Sequence, residues 1–271
     1  MRTLTWILFL LASACTSSGT ISAGQRSSSA AAFTVPSLVL WKRCPSPCLD
    51  RSPRLAIYPD GTLIYASLHA LPDAPAFRQA HLTRGQLEQL LSPKRMQAME
   101  ELLPAYFVSN GLHAPDHIIQ WRTADGSLRQ VEVNGLLEGP GEHPERDQAP
   151  HAFLDLFDAL TAFHAPDATR YVPVATQVDL WALKSAVGTS VEWPASWPQP
   201  MPDSEEAVPV EERDLRAFLP GQSFGEVYHW IWSNQDAGKV VGFQGRIYWP
   251  MIRAVLPGAP VPLPAPEPTL P

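Results

Sequence analysis

Pro53-Arg54-Leu55-Ala56-Ile57-Tyr58-Pro59-Asp60-Gly61-Thr62-Leu63-Ile64-Tyr65 is the stretch that decides the fold class of this 271-residue chain. Two apolar runs, Arg54–Tyr58 and Thr62–Ala66, flank the turn Pro59-Asp60-Gly61. Asp-Gly supplies the positive φ that a tight hairpin demands, so the runs pair as antiparallel strands.

Outward from this hairpin the same signals recur. Ser37–Lys42 (SLVLWK) reads as a strand upstream, and Phe77–Leu82 as one downstream. Thr83 with Gln86 three residues on forms a capping box, opening a helix whose apolar stripe is Leu87, Leu90 and Leu91. Ser92-Pro93 restarts it, because proline is accepted at a first helical position; Met96, Met99, Leu102 and Leu103 then continue the buried face. A second hairpin runs His117–Thr123, Ala124-Asp125-Gly126, Ser127–Asn134. Its alternation of Val131 and Val133 with Gln130, Glu132 and Asn134 marks a half-buried strand. Gln148–Phe163 reads as an amphipathic helix with Phe153, Leu156, Phe157 and Leu160 on one face.

The second half begins near Arg170. Tyr171–Leu183 is strand material, and Trp193–Pro202 a Trp/Pro-rich connection. Glu211–Leu219 reads as a short helix. Val227–Trp232 and Gly245–Ile252 read as strand or mixed segments around a turn at Gln235-Asp236-Ala237-Gly238. The sum is an α+β fold of antiparallel β-hairpins packed with a few amphipathic helices. It divides into an α+β domain over 36–165 and a Trp-rich region over 170–256, which either stand as two subdomains or share one sheet.

The N-terminus directs the chain out of the cytoplasm. Arg2, the apolar run Leu4–Ala12 and the small residues Ala12-Ser13-Ala14 are the three parts of a signal peptide, residues 1–14. The run falls short of the roughly 20 residues that a membrane-spanning helix needs. Leu11-Ala12-Ser13-Ala14-Cys15 resembles the lipobox of bacterial lipoproteins, whose cysteine is lipidated and becomes the first mature residue; ordinary secretion with a free Cys15 is the alternative. Residues 15–35 are then the lipidated Cys15 and a flexible tether, dominated by Ser, Thr, Gly and Ala. Thr16 rather than Asp follows Cys15, which favours the outer membrane where the cell has two.

Removing Arg2 with the signal moves the formal net charge from −7 to −8. An acidic chain without a basic cluster is a poor match for nucleic acid. Charged residues make up 17% and prolines number 29, which suits a loop-rich extracytoplasmic domain. The Pro-rich end from 257 to 271 reads as an exposed, disordered tail. In an oxidising compartment Cys44 and Cys48, in Cys44-Pro45-Ser46-Pro47-Cys48, are expected to form a structural disulfide. Closing so small a loop contributes on the order of 2 kcal/mol.

The sequence Pro53–Tyr65 also resembles the hairpin of a family of exported bacterial lipoproteins, common in actinobacteria and of no known activity. Thr83–Leu91, Ala114-Pro115-Asp116-His117, Ala124-Asp125-Gly126 and the ending Gly245-Arg246-Ile247-Tyr248…Arg253-Ala254-Val255-Leu256-Pro257 resemble further parts of its pattern. That resemblance implies location and fold, not chemistry.

Candidate chemistry is sparse. His113 and His117 have i, i+4 spacing, but Pro115 between them disfavours the helix that would aim both at a metal. Gly141–Asp147 with His151 mixes histidine and carboxylates beside a helix start, where acidic residues are expected from the helix dipole alone. Asp203, Glu205, Glu206, Glu211, Glu212 and Asp214 lack the spacing of a calcium loop and read as a solvated linker. Six of nine tryptophans lie in the second half, and Trp193-Pro194 and Trp197-Pro198 offer a surface for a glycan or a partner. If Trp193 and Trp197 are exposed, that surface gains support; if buried, it fails. No nucleophile elbow, Walker loop, zinc-protease or dinucleotide motif occurs, and no cofactor is implied. The expected function is therefore a membrane-anchored cell-envelope lipoprotein binding a partner protein or polymer without catalysis. The alternative is an extracytoplasmic hydrolase whose site assembles only in three dimensions.

Overall fold

The computed structural model describes residues 35–43, 49–67, 74–109, 115–136, 146–183, 188–202 and 214–262. The expected signal peptide, Cys15, the expected tether to residue 34, Cys44, Cys48, His113, residues 141–145, Asp203–Glu212 and the expected tail from 263 lie outside them. All described residues fall in one compact unit.

The fold is α+β. In chain order come β1 (Leu38–Arg43), β2 (Pro53–Ile57), β3 (Thr62–Ser67), β4 (Ala76–His81), α1 (Arg84–Leu90), α2 (Pro93–Glu100), β5 (Ala105–Phe107), β6 (Asp116–Arg122), β7 (Leu128–Asn134), α3 (His151–Thr161) and β8 (Thr169–Arg170). Then follow β9 (Ala175–Ala182), β10 (Ser190–Glu192), β11 (Met201–Pro202), β12 (Leu215–Pro220), α4 (Phe224–Asp236), β13 (Val240–Phe243) and β14 (Arg246–Val255). Sheet A has the order β5-β7-β6-β1-β2-β3-β4-β8, and sheet B the order β10-β13-β14-β9-β12-β11. Neighbours are antiparallel except β5–β7 and β10–β13.

The opening hairpin forms as its sequence demands. Gly61 takes φ +85°, and the Asp60 carboxylate accepts from both the backbone N–H (2.9 Å) and the hydroxyl (3.0 Å) of Thr62. β2 and β3 then pair through Leu55↔Tyr65, Ala56↔Ile64 and Ile57↔Leu63. One face of sheet A (Leu38, Leu40, Ile57, Leu63, Ile119, Val131, Val133) packs on Met99 of α2 and on Phe153, Leu156, Phe157 and Leu160 of α3. The other face (Val39, Trp41, Ala56, Ile64, Ile118) shares a second core with Val178, Leu180, Ala217 and Ile252 of sheet B and with Val227 and Ile231 of α4. Central strands covered on both sides need apolar residues at every position, which is why β1 reads as an unbroken run.

The expected regions 36–165 and 170–256 map closely onto one sheet each, but they are not separately packed. Besides the shared core, Leu49–Ser52 runs beside β14: Ile252 N–H donates to Leu49 O and Arg51 N–H to Ile252 O, each at 2.8 Å. The Ser52 hydroxyl accepts from Ala254 N–H at 2.8 Å. The chain thus leaves the flank of sheet B and enters β2 of sheet A within two residues.

The Thr83 capping box is complete, with Gln86 N–H on the Thr83 hydroxyl and the Gln86 side chain on Thr83 N–H. Thr83→Ala is expected to cost about 1 kcal/mol, read as a lower denaturant midpoint at unchanged slope; an unchanged midpoint refutes the cap's contribution.

Several expectations are corrected. Glu211–Leu219 is not a helix where it is described: Leu215–Pro220 is β12, burying Leu215, Ala217 and Leu219 while Arg216 and Phe218 face away, a period of two. Leu215 and Leu219 also satisfy i, i+4, so the short segment fits both patterns and pairing with β9 decides it. Val227–Trp232 is not strand but the centre of α4, whose buried Phe224, Val227, Tyr228 and Ile231 stand at i, i+3, i+4 and i+7. Its valine, isoleucine and aromatics suit a strand by propensity, and packing on sheet B overrides them. α3 begins at His151 rather than Gln148, because Pro150 takes the capping position after a 3-10 turn at Arg146–Gln148. Strand β9 starts at Ala175 instead of Tyr171, after Pro173. Leu103 lies beyond the end of α2 and is 65% exposed, not on its buried face. The tail is docked in its first part: Tyr58 Oη donates to Pro257 O at 2.9 Å and Gln120 Nε2 to Val261 O at 3.4 Å.

Candidate functional site

A cleft of about 250 Å³ opens where the end of β1 meets sheet B. From sheet A it is walled by Trp41, Lys42 and Arg43, with Val261 and Pro262 of the docked tail beside them. From sheet B come Asp179, Trp181, Arg216 and Arg253, and from the flanking segments Arg51, Asp214 and Leu215. Five cations and two carboxylates line it, and Asp116 and Glu132 lie behind Arg43.

Cross-strand register holds these side chains. Arg43 of β1 is paired with Asp116 of β6, and Glu132 of β7 is paired with Ile118, two residues along from Asp116. Strand alternation therefore puts Asp116 and Glu132 on one face. Arg43 Nε donates to Asp116 Oδ2 at 3.2 Å, and Arg43 Nη2 donates to Glu132 Oε1. The Glu132 side chain is fully enclosed, while Arg43 and Asp116 keep 32% and 20% of their side-chain surface. Burial pushes both carboxyls above their ordinary values; the Arg43 charge opposes this in each, and Asp116 pushes Glu132 further up. Alongside, Trp41 Nε1 donates to Gln120 Oε1 at 2.7 Å, and Gln120 Nε2 to Gln130 Oε1 at 2.9 Å.

Sheet B carries a matching polar ladder on the residues that alternate with buried Val178 and Leu180. Arg253 and Arg216 stand directly across β9 from Gln177 and Asp179. Arg253 Nη2 donates to Gln177 Oε1, Gln177 Nε2 to Asp179 Oδ1 at 2.7 Å, and Arg216 Nε to the same oxygen at 2.8 Å. The Arg51 guanidinium lies 4.2 Å over the Trp181 ring, a cation–π contact. Asp214 Oδ1 accepts from Ala182 N–H at 3.0 Å.

The tryptophans singled out from sequence lie elsewhere. Trp193 is 6% exposed, and its indole N–H donates to Pro198 O at 3.2 Å. It meets Trp197 edge-on at 5.2 Å between ring centroids, and Trp197 meets Trp230 at 5.1 Å. Trp197 is half-buried on the shared core. The expected Trp193 and Trp197 binding surface is therefore corrected to an aromatic core cluster, because edge-to-face packing consumes the ring surfaces that a ligand would need.

His117 is buried, with Nε2 3.1 Å from Leu136 O and its ring 4.7 Å from that of Phe157. His151 is exposed at the start of α3, and Arg146 pairs with Asp158 instead of a ligand. Among the described residues, no three His, Cys, Asp or Glu side chains are grouped to hold a metal ion. No family model, curated protein or solved structure matches the chain.

Sequence reading missed Arg43, Asp116, Glu132, Gln177, Asp179, Arg216 and Arg253. Each sits on a strand between mainly apolar neighbours or at a strand end, and only the register among six strands brings them together. Glu132, Gln177 and Asp179 look like ordinary solvent-facing positions of alternating strands. The usable signal was their company: Glu132 and Gln177 flank the most strongly apolar residues of their strands.

Proposed function

We propose that the chain is an exported cell-envelope lipoprotein, held to a membrane by lipid on Cys15, whose α+β body binds a ligand in the cleft between sheets A and B. The observation that carries the location is the order of Arg2, an apolar run, Leu11-Ala12-Ser13-Ala14-Cys15 and a Ser/Thr/Gly/Ala tether. In that compartment Cys44 and Cys48 form a disulfide, and Thr16 places the anchor in the outer membrane of a cell with two. Binding is favoured over hydrolysis by how the cleft's charges are spent. Asp179 Oδ1 already accepts two hydrogen bonds and Asp214 Oδ1 a backbone N–H, while Glu132 is enclosed behind Arg43. Asp179 and Glu132 orient arginines, and Asp214 holds a backbone amide, instead of meeting a substrate.

The anchor is tested by feeding a palmitate analogue to bacteria expressing the full chain or Cys15→Ala. Wild type is expected to carry the label and fractionate with membranes, and the variant to lose both. Equal labelling of the two proteins, or labelling of neither, refutes the anchor.

A further inference from the structure

We infer that the surface between Tyr58 and Gln120 is a receptor for a proline-rich peptide, occupied by residues 257–262 of the chain itself and open to a partner's proline-rich segment in their place. The inference goes beyond the cleft reading and stands whether or not the cleft takes a ligand of its own. β14 ends at Val255, and the chain turns at Pro257-Gly258, with Ala259 N–H on Leu256 O at 3.3 Å and Gly258 at φ +59°. The segment Pro-Gly-Ala-Pro-Val-Pro then runs from Tyr58, at the end of β2, to Gln120 of β6 and belongs to no strand.

Recognition runs one way, with the body donating and the segment accepting. Tyr58 Oη donates to Pro257 O at 2.9 Å, and Gln120 Nε2 to Val261 O at 3.4 Å. The Gln120 amide has a single orientation open to it. Trp41 Nε1, which can only donate, takes Gln120 Oε1 at 2.7 Å, so Nε2 turns to Gln130 Oε1 and to the segment. A proline-rich ligand suits such a surface. Three of its six residues have no N–H to satisfy, its carbonyls are what it offers, and its fixed φ angles leave little freedom to lose on docking. Aromatic side chains complete the match: Ala259 packs on the core that Trp41 and Tyr58 help to form.

The segment is attached as a ligand is, not as a core element. A strand in its place would be tied by main-chain bonds along its length. Among the described residues, no main-chain hydrogen bond joins 259–262 to sheet A. Two side-chain bonds hold the segment, the outer one long, and Val261 is 57% exposed. Its departure would unpair one hydroxyl and one amide N–H, both of which another peptide's carbonyls can take up. Val261 and Pro262 also stand at the cleft wall beside Trp41, so an exchange reshapes that edge of the cleft.

The test is calorimetric titration of the full chain, in detergent, with the capped peptide Pro-Gly-Ala-Pro-Val-Pro. Gly258→Val releases the chain's own segment while leaving the receptor residues in place. Its Cβ would stand 3.1 Å from the Val35 Cα, on a backbone whose positive φ a β-branched residue rarely adopts. Gly258→Val should bind the peptide saturably and at least about tenfold more tightly than wild type, where the tethered segment competes at an effective concentration of about a millimolar. Adding Tyr58→Phe, which keeps the ring and removes the donor, should weaken that binding about fivefold. A peptide with its three prolines replaced by glycine should bind about tenfold more weakly, since it has more backbone freedom to lose. If Gly258→Val fails to fold, a full-length chain with a Gly-Ser repeat at 257–262 presents the same receptor. No peptide binding by a folded release variant, binding by wild type just as tight, or indifference to Tyr58→Phe or to the loss of the prolines overturns the inference.

Discussion

Gly221→Ala is expected to lower the thermal midpoint by about 10 °C, the equivalent of roughly 3 kcal/mol in a domain of this size. Gly221 follows β12 and opens the 3-10 turn Gly221–Ser223 that leads into α4. A Cβ built there would stand 1.7 Å from the backbone oxygen of Pro173, far inside contact distance. The obstacle is main chain just before β9, so no rotamer change relieves it. Relief requires moving β12 away from β9, which are paired over six residues, or withdrawing α4 from the shared core. Gly225→Ala, one turn on in α4, is the control. Nothing lies within 4 Å of its added Cβ, and alanine favours helix over glycine by up to about 1 kcal/mol. Differential scanning calorimetry should show the two variants moving in opposite directions. A Gly221→Ala midpoint within a degree of wild type would refute the close approach.

These two glycines also show what can be read in the sequence and what cannot. Hairpins and caps are local chemistry, so Asp60-Gly61, Thr83/Gln86 and Ser92-Pro93 announce β2–β3, α1 and α2 to within a residue or two. Gly221 and Gly225 look alike in sequence, because the difference between them is the main chain at Pro173, far upstream and just before β9. The same limit explains β12, expected as a helix, and α4, whose centre was expected as a strand or mixed segment. Each carries residues that fit both states, and tertiary contact decides: pairing with β9 for β12, packing on the shared core for α4. For the candidate site the limit is stricter still. Trp193 and Trp197 attracted attention as large side chains next to proline, and bulk is what packs them into the core. The cleft residues attracted none, because one arginine or glutamate on a strand is unremarkable until register sets β1, β6, β7, β9, β12 and β14 side by side.

Arg43→Met should show the second large effect, and its dependence on pH identifies the cause. In wild type the Arg43 guanidinium lies against Asp116 and the enclosed Glu132, and its charge is what holds their raised carboxyls down. Removing it leaves two carboxylates on one buried face, and breaking a buried pair in this way costs about 3–5 kcal/mol. The sign of the pH dependence follows from linkage. A carboxyl raised in the folded state binds its proton more tightly there than in the unfolded chain. It therefore adds stability when the pH is below its ordinary value (3.8 for Asp116, 4.5 for Glu132), and that stability is lost as pH rises through the folded value. Without Arg43 both folded values climb further, so the deficit relative to wild type should grow as pH rises above the ordinary carboxyl range. Glu132→Gln keeps the shape and removes one of the two charges. At pH 8 it should lie within about 1 kcal/mol of wild type, since Arg43 retains Asp116 as partner. Added to Arg43→Met, it should restore more than half of the lost stability. Urea unfolding of the four proteins at pH 5, 6.5 and 8 measures all of this. An Arg43→Met deficit of the same size at every pH would assign the loss to packing of the arginine stem and reject the charge account.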